Sequence, residues 1–318
     1  MMDCTDKHEI FFLSLISKNI HLYTEMIVAN AIIRGDRDKL LSFKKISNPV
    51  TLQVGGSNPG ELAEACKISE DYGYSDINLN LGCPRKKVQN NKSGACLMQE
   101  PDLVSKCIEA MTKATSLHVT IKTRIGYNEV EDFEFLKSFI QTTKNAGSKK
   151  FIIHARKALL KKLSPKENLN IPPLKYEFVY KLKEHFKNDE IIINGGIKST
   201  DDIKKHLLKV DGAMIGRAIY HSPYFLAEIE KEIFNNQDIP TRTEVMENLI
   251  PYIQEQTSKG IQLNHIMRHT VGLFHGQNGS RTWKQYLSKN MCIRDADLQK
   301  VNHIMDQVKK TNPVSLER

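Results

Sequence analysis

The sequence predicts an α/β fold: a TIM-type (β/α)8 barrel whose first strand is missing at the N-terminus, followed by an all-helical domain. Three observations lead there. Short apolar runs alternate with longer segments of helical period. Each run ends in Gly, Pro or a polar residue, and strand signals stop after Tyr220.

Taken in order, residues 2–6 form a loop and residues 8–17 an amphipathic helix. A barrel needs a strand ahead of that helix, so the full gene product is expected to be longer at its start. The strand-like runs are 22–27, 50–54, 76–81, 119–123, 150–154, 190–194 and 212–216, with helical stretches at 60–72, 101–114, 130–145, 176–186 and 200–208. A seven-stranded doubly wound sheet is the alternative, although no GxGxxG follows the first strand. The remainder reads as helices at 223–234, 242–259, 264–274, 281–288 and 295–309. With Pro240 in a hinge at 235–243, the expected domains are a catalytic barrel, 1–235, and a helical domain, 236–318.

Composition excludes several classes. At 318 residues, with 40% hydrophobic and 26% charged, the chain can bury a large core and is neither a minimal module nor wholly disordered. No run approaches the roughly 18 apolar residues of a membrane span, and the best stretch, 10–16, is broken by Ser14. No signal peptide is visible, so the expected location is cytoplasmic. The 6 cysteines form no CxxC pair, which suggests reduced thiols and no metal site. Net charge is +9. Residues 154–187 hold nine Lys/Arg against three Glu, and residues 241–318 hold eleven against seven acids. Such regions suit a polyanion groove or a solvated basic surface equally well.

In a barrel, reactive groups gather where strands end. Those ends carry Gly82-Cys83-Pro84, Lys122 with Arg124, His154-Ala155-Arg156, Asn194-Gly195-Gly196 and Gly216-Arg217. Late glycine turns suit phosphate, because backbone without side chains lets N–H groups approach oxygens. They also suit plain tight turns. Lys122 lies inside an apolar strand, where an unpaired ammonium is costly; a carboxylate or an anionic cofactor ring would pair it, and a plain structural lysine is the alternative. Cys83, in a rigid turn, is either a proton donor or an inert thiol. His154 is a core histidine or a ligand contact. No Ser or Asp stands beside it in a triad-like context. Trp283 is a base-stacking ring or a core anchor.

These residues fall in motifs that identify a family. Leu22-Tyr23-Thr24-Glu25-Met26, Leu52-Gln53-Val54-Gly55-Gly56, Asn78-Leu79-Asn80-Leu81-Gly82-Cys83-Pro84, Ile121-Lys122-Thr123-Arg124-Ile125-Gly126, Leu163-Ser164-Pro165-Lys166-Glu167-Asn168 and the segment 268–286 occur in order along nearly the whole chain. The chain thereby resembles the tRNA-dihydrouridine synthases, most closely the A-type acting on D-loop uridines 20 and 20a. That resemblance implies FMN at the barrel mouth, NADPH as reductant, hydride transfer to uracil C6 and protonation at C5 by Cys83. It implies that Gln53, Lys122 and His154 contact the flavin ring. Asn194, Gly195, Gly196, Gly216 and Arg217 would contact its ribityl and phosphate side, and Met1 and Met2 would retain part of a further contact. Asn80, Lys166, Arg281 and Lys284 would touch tRNA. Many relatives have Arg at the position of Lys284, so a bidentate contact is lost there while charge is kept. A monomer without membrane or metal partners is expected.

Overall fold

The computed structural model describes residues 1–160 and 163–290; the predicted helix 295–309 and Cys292 lie outside the described residues. The chain divides into two compact units. One comprises Met1–Met2, Tyr23–Ser42 and Pro49–Ile215, and the other Asp3–Leu22, Phe43–Asn48 and the described residues from Gly216 onward.

In chain order the elements are α1 (Lys7–Ile16), β1 (Leu22–Val28), α2 (Ala29–Arg34), α3 (Arg37–Leu41), β2 (Val50–Gly55), α4 (Pro59–Glu70) and β3 (Asp76–Asn80). Then come α5 (Lys86–Asn90), α6 (Pro101–Ala114), β4 (His118–Arg124), α7 (Phe133–Asn145), β5 (Lys150–His154), α8 (Tyr176–His185), β6 (Glu190–Asn194), α9 (Thr200–Leu207) and β7 (Gly212–Met214). The series closes with α10 (Arg217–His221), α11 (Phe225–Glu232), α12 (Arg242–Ser258), α13 (Leu263–Met267) and α14 (Ser280–Asn290).

The seven strands form one sheet in the consecutive order β1 to β7, and β2 through β7 pair in parallel. A doubly wound sheet reverses its order at a switch point, so this order excludes that alternative. Helix starts are encoded locally. Asn58 accepts from the N–H groups of Gly60 and Glu61 ahead of α4, with Pro59 in the first turn. Asp132 caps α7 and Ser199 caps α9 in the same way.

Strand period sorts the side chains. Register aligns Leu52 with Ile77, Leu79 with Ile121, Ile121 with Phe151 and Ile153 with Ile193, all fully buried. The alternate positions place Gln53 beside Asn78, Asn78 beside Thr120, Asn80 beside Lys122, Arg124 beside His154 and His154 beside Asn194. Successive residues of a strand face opposite sides, so one face is hydrocarbon and the other carries the polar groups.

The expected strands all form, although the last ends at Met214 instead of residue 216. The expected helix 264–274 is α13 followed by a 3-10 turn over Arg268–Gly272. Helices α2, α3, α5 and α10 were not foreseen; α2 follows β1 with no breaker between them. In the second unit, α1 packs on α11, α12 and α13, and so groups with elements more than 200 residues away. Trp283 is fully buried there, donates its indole N–H to the Thr270 carbonyl at 3.0 Å and meets Phe274 edge-on. It is a core anchor, which removes the base-stacking alternative. No described helix is long and apolar enough to cross a membrane.

Candidate active site

The polar face of the sheet builds the site from its strand ends. An amide chain crosses it. Asn78 Nδ2 donates to Thr120 Oγ1 at 2.9 Å, Gln53 Nε2 to Asn78 Oδ1 at 2.9 Å, and Asn80 Nδ2 to Gln53 Oε1 at 2.7 Å. Asn80 Oδ1 then accepts from the backbone N–H groups of Gly82 and Cys83, both at 3.0 Å. Each amide is oriented by the next, as buried polar groups require. The chain ends on the turn that carries Cys83, a partly exposed free thiol.

On the neighbouring strands, Lys122 Nζ spans β5 to donate to Asn194 Oδ1 at 2.8 Å, and Asn194 Nδ2 donates to the Met214 carbonyl at 2.7 Å. Among the described residues the hydrogen-bond partner of Lys122 is thus a neutral amide and not a carboxylate. Some of the residue's surface reaches solvent, but protein encloses its ammonium. Burial first, and the Arg124 charge second, push that ammonium down to about 7, against the pull of Cys83. Arg124, 3% exposed, is likewise lowered, to about 10, by burial. Two cations therefore lie within electrostatic reach of Cys83.

His154 is buried and packs against Gly195, where an added Cβ would lie 3.1 Å from the imidazole. Gly195 and Gly196 have φ of +113° and +78°, and a Cβ on Gly196 would sit 2.5 Å from Leu174. Their glycine identity thus has a steric cause apart from any ligand. Tyr176 Oη donates to the Gly195 carbonyl at 2.7 Å, fixing the turn.

Met1 and Met2 belong to the first unit, whereas Gly216 and Arg217, at the start of α10, belong to the second. Lys166 is exposed in the first unit; Arg281 and Lys284 are exposed on α14 in the second. Of the other thiols, Cys66 and Cys107 are buried, as expected of packing residues. Burial pushes them up to about 12 and about 11. Cys96 lies near Cys83 in the folded chain and donates to the Ser93 carbonyl at 3.2 Å.

Sequence reasoning left Asn78, Thr120, Gln89 and Arg124 without roles. The available signal was polar residues alternating with apolar ones inside buried strands. The residues present fit a flavin. An ammonium whose hydrogen-bond partner among the described residues is a neutral amide suits an anionic neighbour, and side-chain amides suit a ring edge rich in carbonyl and imine acceptors.

A family model described as Dihydrouridine synthase (Dus) matches residues 1–309. The chain belongs to the dihydrouridine synthase family. It is 46% identical over 297 residues to the tRNA-dihydrouridine(20/20a) synthase of Synechocystis, covering 93% of this chain and 89% of that protein. The enzyme of the same name from Vibrio parahaemolyticus is 44% identical, covering 98% and 95%. That of Escherichia coli strain K12 is 46% identical, covering 97% and 90%.

Proposed function

We propose that this chain reduces the C5–C6 bond of uridines 20 and 20a in tRNA as an FMN-dependent enzyme that uses NADPH, and that its sheet forms the staves of a TIM-type (β/α)8 barrel. One observation carries the reading: the amide chain from Thr120 to Asn80 ends on the Cys83 turn, beside the partly buried Lys122 and the buried Arg124.

When bound, FMN supplies a hydride taken from NADPH, chemistry that side chains lack. Lys122, Gln53 and His154 would hold its ring, with Met1 and Met2 nearby. Asn194, Gly195 and Gly196 would hold its ribityl phosphate. Cys83 is the acid: its S–H bond breaks as a C–H bond forms at uracil C5, leaving a thiolate that Lys122 and Arg124 stabilise. Asn80 offers the base one amide proton, because its oxygen is committed to the Cys83 turn. Turning the uridine out of the RNA stack costs about a few kcal/mol. Lys166, Arg281 and Lys284 offset this by neutralising phosphates.

The test is direct. Purified protein should be yellow, bleach with NADPH, and recolour with tRNA lacking dihydrouridine, after which mapping finds the modified base at 20 and 20a. Colourless protein, or a product at other positions only, would refute the reading.

A further inference from the structure

Two side chains tie the turn that carries Cys83 to the loop that carries Lys166. Arg124 donates from Nε to the Gly82 carbonyl at 2.8 Å, and from Nη1 to the carbonyls of Lys157 and Asn168 at 3.0 and 3.2 Å. Gln89, on α5, donates from Nε2 to the Pro84 carbonyl at 2.9 Å and to the Leu160 carbonyl at 3.1 Å. The residues on either side of Cys83 are thus each held by a side chain that also grips residues 157–168.

Further hydrogen bonds hold both anchorages. In the loop, buried Asn168 donates to the carbonyls of Leu159, Leu163 and Ser164 and accepts from the Leu159 N–H at 2.7 Å. Asn128 Oδ1 accepts from the Leu160 N–H at 2.9 Å. Beneath the thiol, the Ala95 N–H donates to the Cys83 carbonyl at 2.9 Å. Gly94 has φ +77°, and a Cβ there would lie 2.5 Å from that same carbonyl. The carbonyls of Gly82, Cys83 and Pro84 are thus each hydrogen-bonded, while the Cys83 side chain keeps some exposure.

We propose that Gln89 and Arg124 are positioning residues for proton delivery, bracing the Cys83 turn against the Lys166 loop so that the thiol stays aimed at the base when RNA engages that loop. This rests on the function proposed above. Gln89 gives the cleaner test, because it is neutral whereas the Arg124 charge also acts on the thiol.

In Gln89→Leu, flavin content and bleaching by NADPH should match the wild type. KM for tRNA should be unchanged, and kcat for flavin reoxidation by tRNA should fall about 10–100-fold, within the usual worth of a well-placed general acid. Gln89→Glu should lose as much at pH 8, where a carboxylate faces two carbonyls with no proton to give. As pH falls toward the carboxylic range, about 4–5, its O–H regains one of the two bonds. Its rate relative to wild type at the same pH should then recover several-fold, which the Leu variant cannot do. A wild-type kcat, a loss confined to KM, or a Glu variant that tracks Leu at every pH overturns the proposal. So does loss of flavin from both variants, which would make Gln89 a fold element. Wild-type protein that binds flavin but never reduces tRNA would instead refute the functional reading.

Discussion

The two units bury polar groups in opposite ways. The strand-end face of the first uses neutral amides chained to one another and to backbone, and among the described residues its two cations, Lys122 and Arg124, bond to an amide and to backbone carbonyls. The second unit gathers acidic and basic side chains at short range. His269 lies with Nε2 3.0 Å from Asp6 Oδ1 and Nδ1 3.2 Å from Glu9 Oε2, while Arg268 also pairs with Asp6. Beside it, His8 Nδ1 meets Tyr252 Oη at 2.8 Å. Burial would raise the Asp6 carboxyl, but the His269 hydrogen bond and charge outweigh it and hold the group far below its ordinary value. Burial and the Asp6 charge keep Glu9 well above its own. In the second unit acidic and basic groups face one another, whereas in the first Lys122 and Arg124 face amides and backbone carbonyls, the open arrangement expected of a ligand site.

The sharpest way to break this contrast is Cys83→Ala. Reoxidation of flavin by tRNA should slow by about 10²–10⁴-fold, while reduction by NADPH stays near wild type. Stopped-flow of both half-reactions checks it, and equal loss in both would put Cys83 in flavin binding.

Lys122 comes next. Its ammonium is ionised in the unfolded chain up to about 10.4 but only to about 7 in the folded, ligand-free chain. The unfolded state therefore holds more protons between these values, and stability of the flavin-free protein should rise with pH across that window. Anion binding needs the proton back. FMN affinity, read by fluorescence quenching, should fall by up to about tenfold per unit above pH 7, and Lys122→Met should flatten that slope.

A smaller effect distinguishes surface charge from either buried arrangement. Lys166→Ala and Arg281→Ala should each weaken tRNA binding about 3–10-fold and reduce the salt dependence by about one ion, with flavin content unchanged. Filter binding across a salt series measures it.

The smallest lies in the second unit. Glu9 contributes its full stability below about pH 4.3, where it is protonated folded and unfolded alike, and that stability is lost as pH rises through its elevated folded value. Glu9→Gln cannot ionise, so it should raise Tm by about 2 °C at pH 8 and by less at pH 4. Asp6 runs the other way: its contribution, present above about 3.9, fades as pH falls. Calorimetry at the two pH values separates them.

Much of the site was legible because strand endings are marked by composition. Gly82-Cys83-Pro84 and Asn194-Gly195-Gly196 close apolar runs, and a lysine inside such a run announces itself. What sequence hid was reach. Arg124 grips a carbonyl 42 positions earlier and another 44 positions later, and no periodicity encodes that. The placement of α1 was equally hidden: its apolar residues are obvious, but their partners on α12 lie at the other end of the chain. The glycines at 195 and 196 teach a third lesson, since a positive φ and a close leucine account for them without any phosphate.

The single tryptophan, Trp283, is sealed inside the helical unit. Its emission is therefore a private optical probe of that half of the molecule, whereas a yellow prosthetic group would report on the other. Following both colours through one melt would reveal whether the halves surrender together or in turn.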